Sequence, residues 1–223
     1  MSALIVRWLG SCDYLPIWQA MRRFTAARQG DTLDELWLLE HLPVYTTGAR
    51  RRVDFQRPPN AIPVIETDRG GLITYHGPGQ LVAYALLDLK RLKIGVRGLV
   101  TALEQATCKL LRQYGLLAQA RPEAPGVYVD GAKIAFLGLR VRQGLSYHGL
   151  SLNVDLDLSP FAAIVPCGIA GLKVTRLLDL GVGAKVHEVA VPWLACFMEQ
   201  LNFSSFSVAY ALPTLKEACH AHA

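Results

Sequence analysis

Residues 126–158 read GVYVDGAKIAFLGLRVRQGLSYHGLSLNVDLDL. Two turn signals cut this stretch into three runs. Asp130-Gly131 suits a two-residue primed turn, which needs positive φ at both central positions. Arg142-Gln143-Gly144 supplies a second turn. The runs GVYV, AKIAFLGLRV and LSYHGLSLNVDLDL are apolar and alternate with small or polar residues, as half-buried strands do. The spacing predicts a three-strand antiparallel meander.

Working outward, residues 97–115 are the clearest helix. Val100, Leu103, Ala106, Thr107, Leu110 and Leu111 form one stripe, with Gly115 at the C-cap. Cys108 lies beside the stripe and reads as structural. Residues 13–28 form a first helix, preceded by a strand-like run. Residues 33–41 are ambiguous between strand and helix. Residues 42–68, with four prolines and the basic knot Arg50, Arg51 and Arg52, read as a surface loop. Helices are expected at 174–180 and 188–201, with Pro192 in the first turn of the latter. The chain after Phe203 carries no clear signal. Hairpins next to irregularly spaced helices indicate an α+β fold with a mixed, largely antiparallel sheet, in one domain over 1–223.

Composition sets outer bounds. The chain has 223 residues, 52% hydrophobic and 18% charged, so it can fill a large core. Bilayer-length apolar runs and signal-peptide features are absent from the sequence, which leads to an expectation of a soluble cytoplasmic protein. Five cysteines without a CxxC pair argue against a disulfide framework or a zinc knuckle. Neither a phosphate-loop nor a dinucleotide fingerprint is present. The net charge of +5 suits an acidic protein partner better than nucleic acid, since aromatics do not interleave with the cations.

Alternation along the meander places Lys133 at the end of the row Ala135, Leu137, Leu139, Val141. It places His148 at the end of the row Leu150, Leu152, Val154. Both rows face the core on this reading. A lysine in apolar surroundings loses its proton more readily and can shuttle protons near neutral pH. The plainer reading is that Lys133, close to a turn, snorkels to water. Cys167 stands in Pro-Cys-Gly among small neighbours, where a turn can present the thiol. A thiol nucleophile needs a cationic or proton-accepting neighbour, and Lys133 is the candidate. The Gly-rich stretch RGGLITYHGPGQ, residues 69–80, offers backbone N–H groups that can hold a carbonyl oxygen, beside an apolar strand as wall.

RGGLITYHGPGQLVAY, GVYVDGAKIAFLGLRV and SYHGLSLNVDLDLSPFAAIVPCGIAGLKVTRL, in this order, resemble the octanoyltransferases of lipoate synthesis. The similarity runs over residues 41–178. It implies the fold of the lipoate and biotin protein ligase catalytic domain. It implies transfer of an octanoyl group from octanoyl-acyl carrier protein to one lysine of a lipoyl domain, in the E2 subunits of 2-oxo acid dehydrogenases and the glycine cleavage H protein. Cys167 matches the nucleophile that carries the acyl group as a thioester, and Lys133 the lysine that activates the thiol and relays protons. Arg69, Gly70, Gly71, Leu72, Ile73, Thr74, Tyr75 and His76 match a substrate-binding segment. Phe136, Leu137 and Gly138, and Gly149, Leu150 and Ser151, match two more. His76 and His148 would line the site, with no proton role assigned. No metal or other cofactor is implied. Ala85 departs from a usual proline, and Phe136 from a usual small residue, which implies a shorter or reshaped acyl pocket.

Three other readings remain at this point. A lipoate-protein ligase shares the Arg-Gly-Gly and lysine features and would use ATP, but has no need of Pro-Cys-Gly. A non-catalytic acyl-carrier-protein binding module leaves the convergence of lysine and loop thiol without a use. A thiol hydrolase would turn over without any lipoyl domain.

Overall fold

A computed structural model describes residues 2–49 and 61–213. In chain order these form β1 (Ser2–Cys12), α1 (Tyr14–Ala27), β2 (Asp34–His41), β3 (Val44–Thr47), β4 (Val64–Glu66), β5 (Thr74–His76) and β6 (Gln80–Leu86). There follow α2 (Val96–Gln113), β7 (Ala118–Ala120), β8 (Gly126–Val129), β9 (Ala132–Arg142), β10 (Leu145–Asn153), α3 (Val186–Gln200) and β11 (Phe203–Ala209). Short 3-10 turns lie at Ser159–Ala163, Pro166–Gly168 and Leu178–Leu180.

An eight-stranded sheet runs β11-β1-β2-β6-β10-β9-β8-β7, and a three-stranded one β4-β3-β5. In the larger sheet β1 is parallel to β2 and β11, and the other pairs are antiparallel. This is the mixed, mostly antiparallel sheet with flanking helices that the meander predicts. Asp130 and Gly131 have φ of 48° and 81°, and Gln143 and Gly144 56° and 93°, so both hairpins close through primed turns.

The ambiguous run at 33–41 is β2, and its alternation explains why. Leu36 and Leu38 join the core under α2 and α3, whereas Trp37 and Leu39 join the cluster under α1. Strand β6 divides likewise, with Leu81, Ala83 and Ala85 on one side and Val82, Tyr84 and Leu86 on the other. A strand buried on both faces shows little polar alternation. A third cluster, including Tyr45, Tyr75, Phe136 and Phe161, joins the small sheet to β9.

Helix α2 ends as its Gly115 requires. Gly115 has φ of 78°, its N–H bonds to the Arg112 carbonyl, and the N–H of Leu116 reaches back to Leu111 at 3.0 Å. The buried stripe includes Leu99, while Val100 is only half-buried.

Four expectations are corrected. Residues 42–68 are not all loop, because β3 and β4 lie within them. Pro43 and Pro63 each stand immediately before a strand, where no ladder N–H is missed, and the Pro63 carbonyl accepts from Tyr45 N–H at 2.9 Å. Arg50, Arg51 and Arg52 lie outside the described residues. Residues 174–180 are not a helix: Val174 bridges Lys133 in parallel, and only a 3-10 turn follows. Helix α3 starts at Val186, where the Lys185 N–H donates to Glu188 Oε2 at 2.7 Å, so Pro192 falls inside the helix and not in its first turn. The third strand of the meander stops at Asn153, because the N–H groups of Val154, Asp155 and Leu156 all turn onto the Gly79 carbonyl. Beyond Phe203 the chain adds β11 beside β1. Among the described residues no helix is long and apolar enough to cross a membrane.

Candidate active site

Cys167 sits at the centre of the Pro166–Gly168 turn with φ 56° and ψ 11°. That left-handed conformation is strained for a residue with a Cβ and is held by its surroundings. The Cys167 N–H bonds to the Ile73 carbonyl at 3.1 Å, which ties the turn to the segment before β5. Lys133 Nζ lies 3.6 Å from Cys167 Sγ and donates to the Pro125 carbonyl at 2.8 Å. The pair foreseen in the sequence is therefore brought together.

The route by which Lys133 arrives differs from the alternation reading. Val127 pairs with Ala135, but Tyr128 pairs with Lys133, so Ile134 is the extra residue of a β-bulge. Ile134 and Ala135 both enter the main core. Lys133 is turned to the opposite face, with its ammonium 5.0 Å from the Phe136 ring centroid and 5.3 Å from that of Tyr128. Snorkelling is ruled out as well, since only 1% of the residue is exposed. Its backbone is clamped by Lys133 N–H to the Lys173 carbonyl and Thr175 N–H to the Lys133 carbonyl, at 2.8 and 3.0 Å. Burial pushes the Lys133 ammonium below its ordinary pKa, and the neighbouring Cys167 and Glu104 act in the opposite direction.

His148 also leaves the face that alternation assigns. Its φ of 60° turns the ring beside Tyr147, with centroids 5.1 Å apart. His148 Nε2 meets Asp68 Oδ1 at 3.0 Å, and Asp68 also accepts from the Tyr147 hydroxyl and from Trp18 Nε1. Burial alone would raise the Asp68 carboxyl, but the hydrogen bonds from His148, Tyr147 and Trp18 outweigh it and hold the group well below the usual carboxylate range. Burial lowers the His148 pKa, and the Asp68 carboxylate acts in the opposite direction. His148 donates from Nε2 to the carboxylate, and its Nδ1 has no hydrogen-bond partner among the described residues.

A narrow pocket, partly open to solvent, lies between the two sheets with Cys167 in its wall. Arg69, Gly71, Leu72, Thr74, His76, Phe136, Leu137, Gly138, His148, Gly149, Leu150 and Ser151 line it, as does Cys167. Gly70, Ile73 and Tyr75 do not. The Gly70 N–H is spent on the Leu139 carbonyl, and Ile73 and Tyr75 pack into the small-sheet cluster. Phe136 stacks on Phe161 with centroids 5.3 Å apart, which fills this part of the wall with aromatic surface.

Arg69 is a strut. Only 7% exposed, its guanidinium donates to Thr46 Oγ1 and to the carbonyls of Thr46, Gly70 and Leu72. Gly138 makes room for it, since a Cβ there would stand 3.1 Å from Arg69 Cδ.

Sequence reading missed the floor of the pocket. Tyr14 and Tyr84 line it, and His41 lies against both. His41 bonds the Cys12 carbonyl and the Tyr84 hydroxyl, and His76 bonds Gln80 Oε1 at 2.7 Å. Burial lowers His41 to about 4 and His76 to about 3, so both are neutral at pH 7. Tyr14 and His41 come from α1 and β2, elements read only as core, whereas Tyr84 lies on β6, the apolar strand read as wall. Among the described residues no three His, Cys, Asp or Glu side chains group as metal ligands.

The fold and site place the chain in a known class. The model of the lipoyl protein ligase A/B catalytic domain matches residues 13–198. Lipoate-protein ligase A bound with ATP superimposes with a TM-score of 0.71 at 17% identity, over 98% of this chain and 91% of that one. Biotin protein ligase from Aquifex aeolicus, in complex with biotin and ATP, gives 0.58 at 15% identity, over 88% and 70%. In sequence, the octanoyltransferase of Methylococcus capsulatus is 59% identical over 90% of this chain and 97% of its own. Further relatives carry the same name. The chain belongs to the lipoyl protein ligase A/B catalytic domain family, among its octanoyltransferases, and is an acyltransferase enzyme.

Proposed function

We propose that this enzyme moves an octanoyl group from octanoyl-acyl carrier protein to a specific lysine of lipoyl domains, through a thioester on Cys167. The acceptors are the lipoyl domains of 2-oxo acid dehydrogenase E2 subunits and the glycine cleavage H protein, and the setting is the cytoplasm. The observation that carries this reading is the 3.6 Å approach of Lys133 Nζ to Cys167 Sγ at a pocket wall. The names of the sequence relatives support the acyl group.

The steps balance without ATP. Cys167 gives its proton to Lys133 and attacks the donor thioester carbonyl as thiolate. The donor carbon–sulfur bond breaks, and Lys133 returns the proton to the departing thiol. The acceptor lysine amine then attacks the acyl-enzyme, its proton passes to Lys133, and Cys167 leaves. Thioester exchange is near balance, and amide formation from a thioester is downhill. The buried ammonium stabilises the thiolate in both half-reactions, more strongly than it would in water. Arg69, Gly71, Leu72, Thr74, His76, Phe136, Leu137, Gly138, Gly149, Leu150 and Ser151 form the acyl-binding wall in this reading.

Intact-protein mass spectrometry after mixing the protein with octanoyl-acyl carrier protein, without ATP, tests it. A hydroxylamine-labile octanoyl adduct is expected, absent in Cys167→Ser and slowed in Lys133→Ala. An unmodified wild-type protein would overturn the covalent route. Octanoylation of a lipoyl domain only with ATP and free octanoate would establish a ligase instead.

A further inference from the structure

Helix α2 buries Leu99, Leu103, Ala106, Leu110 and Leu111 in the core, yet the same helix buries an acid, Glu104, at 8% exposure. A carboxylate taken out of water needs compensating partners. Glu104 Oε1 accepts the Gly126 N–H at 2.8 Å. Gly126 follows Pro125, whose carbonyl accepts Lys133 Nζ at 2.8 Å. One peptide unit thus has Glu104 at its N–H end and the Lys133 ammonium at its carbonyl end. The approach is tight: Gly126 has φ of 144°, and a Cβ there would stand 2.4 Å from Lys133 Cε.

We propose that Glu104 is a positioning residue for the Cys167–Lys133 pair. It fixes the Pro125–Gly126 peptide that aims the ammonium at Cys167, and its charge, set behind that peptide, holds the proton on Lys133. This rests on the roles given to Cys167 and Lys133 above. The groups that face Lys133 are Cys167 from the turn, Glu104 from α2, and the rings of Tyr128 and Phe136, with Arg121 stacked on Tyr128 at 4.3 Å. Glu104 also acts on Cys108, on the same helix, and on Tyr128, and the carboxylate disfavours the ionisation of both. Burial also raises Glu104 itself, and its bond from Gly126 and its attraction to Lys133 oppose that.

The test is the pH dependence of acyl-Cys167 formation in wild type, Glu104→Gln, Lys133→Ala and the double variant. Glutamine keeps the acceptor for Gly126 and removes only the charge. The alkaline limb of the Glu104→Gln profile should move down by about one pH unit, as loss of one nearby charge implies. Glu104→Ala, which also frees the peptide, should slow the step further. In the Lys133→Ala background Glu104→Gln should change the rate less than about twofold. A wild-type profile for Glu104→Gln beside a slow Lys133→Ala would overturn this inference and leave the parent roles intact. Equal slowing with and without Lys133 would reduce Glu104 to a structural part of α2. A wild-type rate for Lys133→Ala would remove the role of Lys133 and this inference with it.

Discussion

Lys133 reaches Cys167 only because β9 breaks step at Ile134. The bulge sends two successive residues, Ile134 and Ala135, into the core and leaves the lysine facing the pocket side, 3.6 Å from the thiol sulfur. Activity and packing are thereby set against each other at one residue.

Lys133→Met separates the two. The replacement fills a similar volume without a charge. Thioester formation should slow by about 10²–10⁴-fold, the usual worth of a positioned proton carrier. The thermal midpoint should stay level or rise, because a buried ammonium held by one carbonyl gives way to an apolar chain. A fall in both rate and midpoint would mean that the lysine is principally a structural element.

Gly126→Ala should damage both properties. The new methyl would meet Lys133 Cε at 2.4 Å and the Ala135 carbonyl at 2.6 Å. A loss of about 2 kcal/mol in denaturant unfolding is expected from the clash and the strained φ. Acyl-enzyme formation should drop together with it. Unchanged unfolding would show that β8 shifts freely here.

Phe136→Leu should change acyl preference more than overall rate. Phe136 is part of the pocket wall and is braced by Phe161. Shortening it opens the wall, so the ratio of kcat/KM for decanoyl over octanoyl donors should rise several-fold, in the range one or two methylenes allow. A constant ratio would place the end of the acyl chain elsewhere.

Stability should fall as the pH drops from 7 to 5. An unfolded histidine takes up a proton near pH 6.5, while folded His41 and His76 resist until about 4 and 3. Between these values the unfolded state binds more protons, so acidification favours unfolding. The Asp68 carboxyl is also lowered in the fold, but its contribution is lost only below about pH 4, where its unfolded form protonates. Melting curves of His41→Gln should show a flatter dependence of Tm on pH over this window. An identical slope would mean that His41 is not the group being titrated.

Much of this was legible in the sequence, and the gaps have physical causes. Asp130-Gly131 and Gly144 fixed both hairpins, since few residues tolerate positive φ in succession. Pro166-Cys167-Gly168 and Lys133 announced the pair by residue type. The faces of Lys133 and His148 were misread because a period-two reading cannot register a bulge at Ile134 or a left-handed residue at 148. Asp68, Tyr14, His41 and Glu104 gave no signal. They stand far apart along the chain, Tyr14, His41 and Glu104 inside elements whose apolar neighbours dominate the pattern and Asp68 in the bend between β4 and β5. Strand β11 was missed because its serines expose no clear hydrophobic period, its place being set by β1.

That pairing has a consequence for how the molecule is made. Strand β1 needs β2 on one side and β11 on the other, and β11 is separated from it by nearly the whole described chain. During synthesis β1, apolar over much of its length, emerges before β11 and has one backbone edge bare until β11 leaves the ribosome. Such edges template association between chains. A truncation before Phe203 would therefore yield a species with its pocket residues present and a sticky N-terminal border.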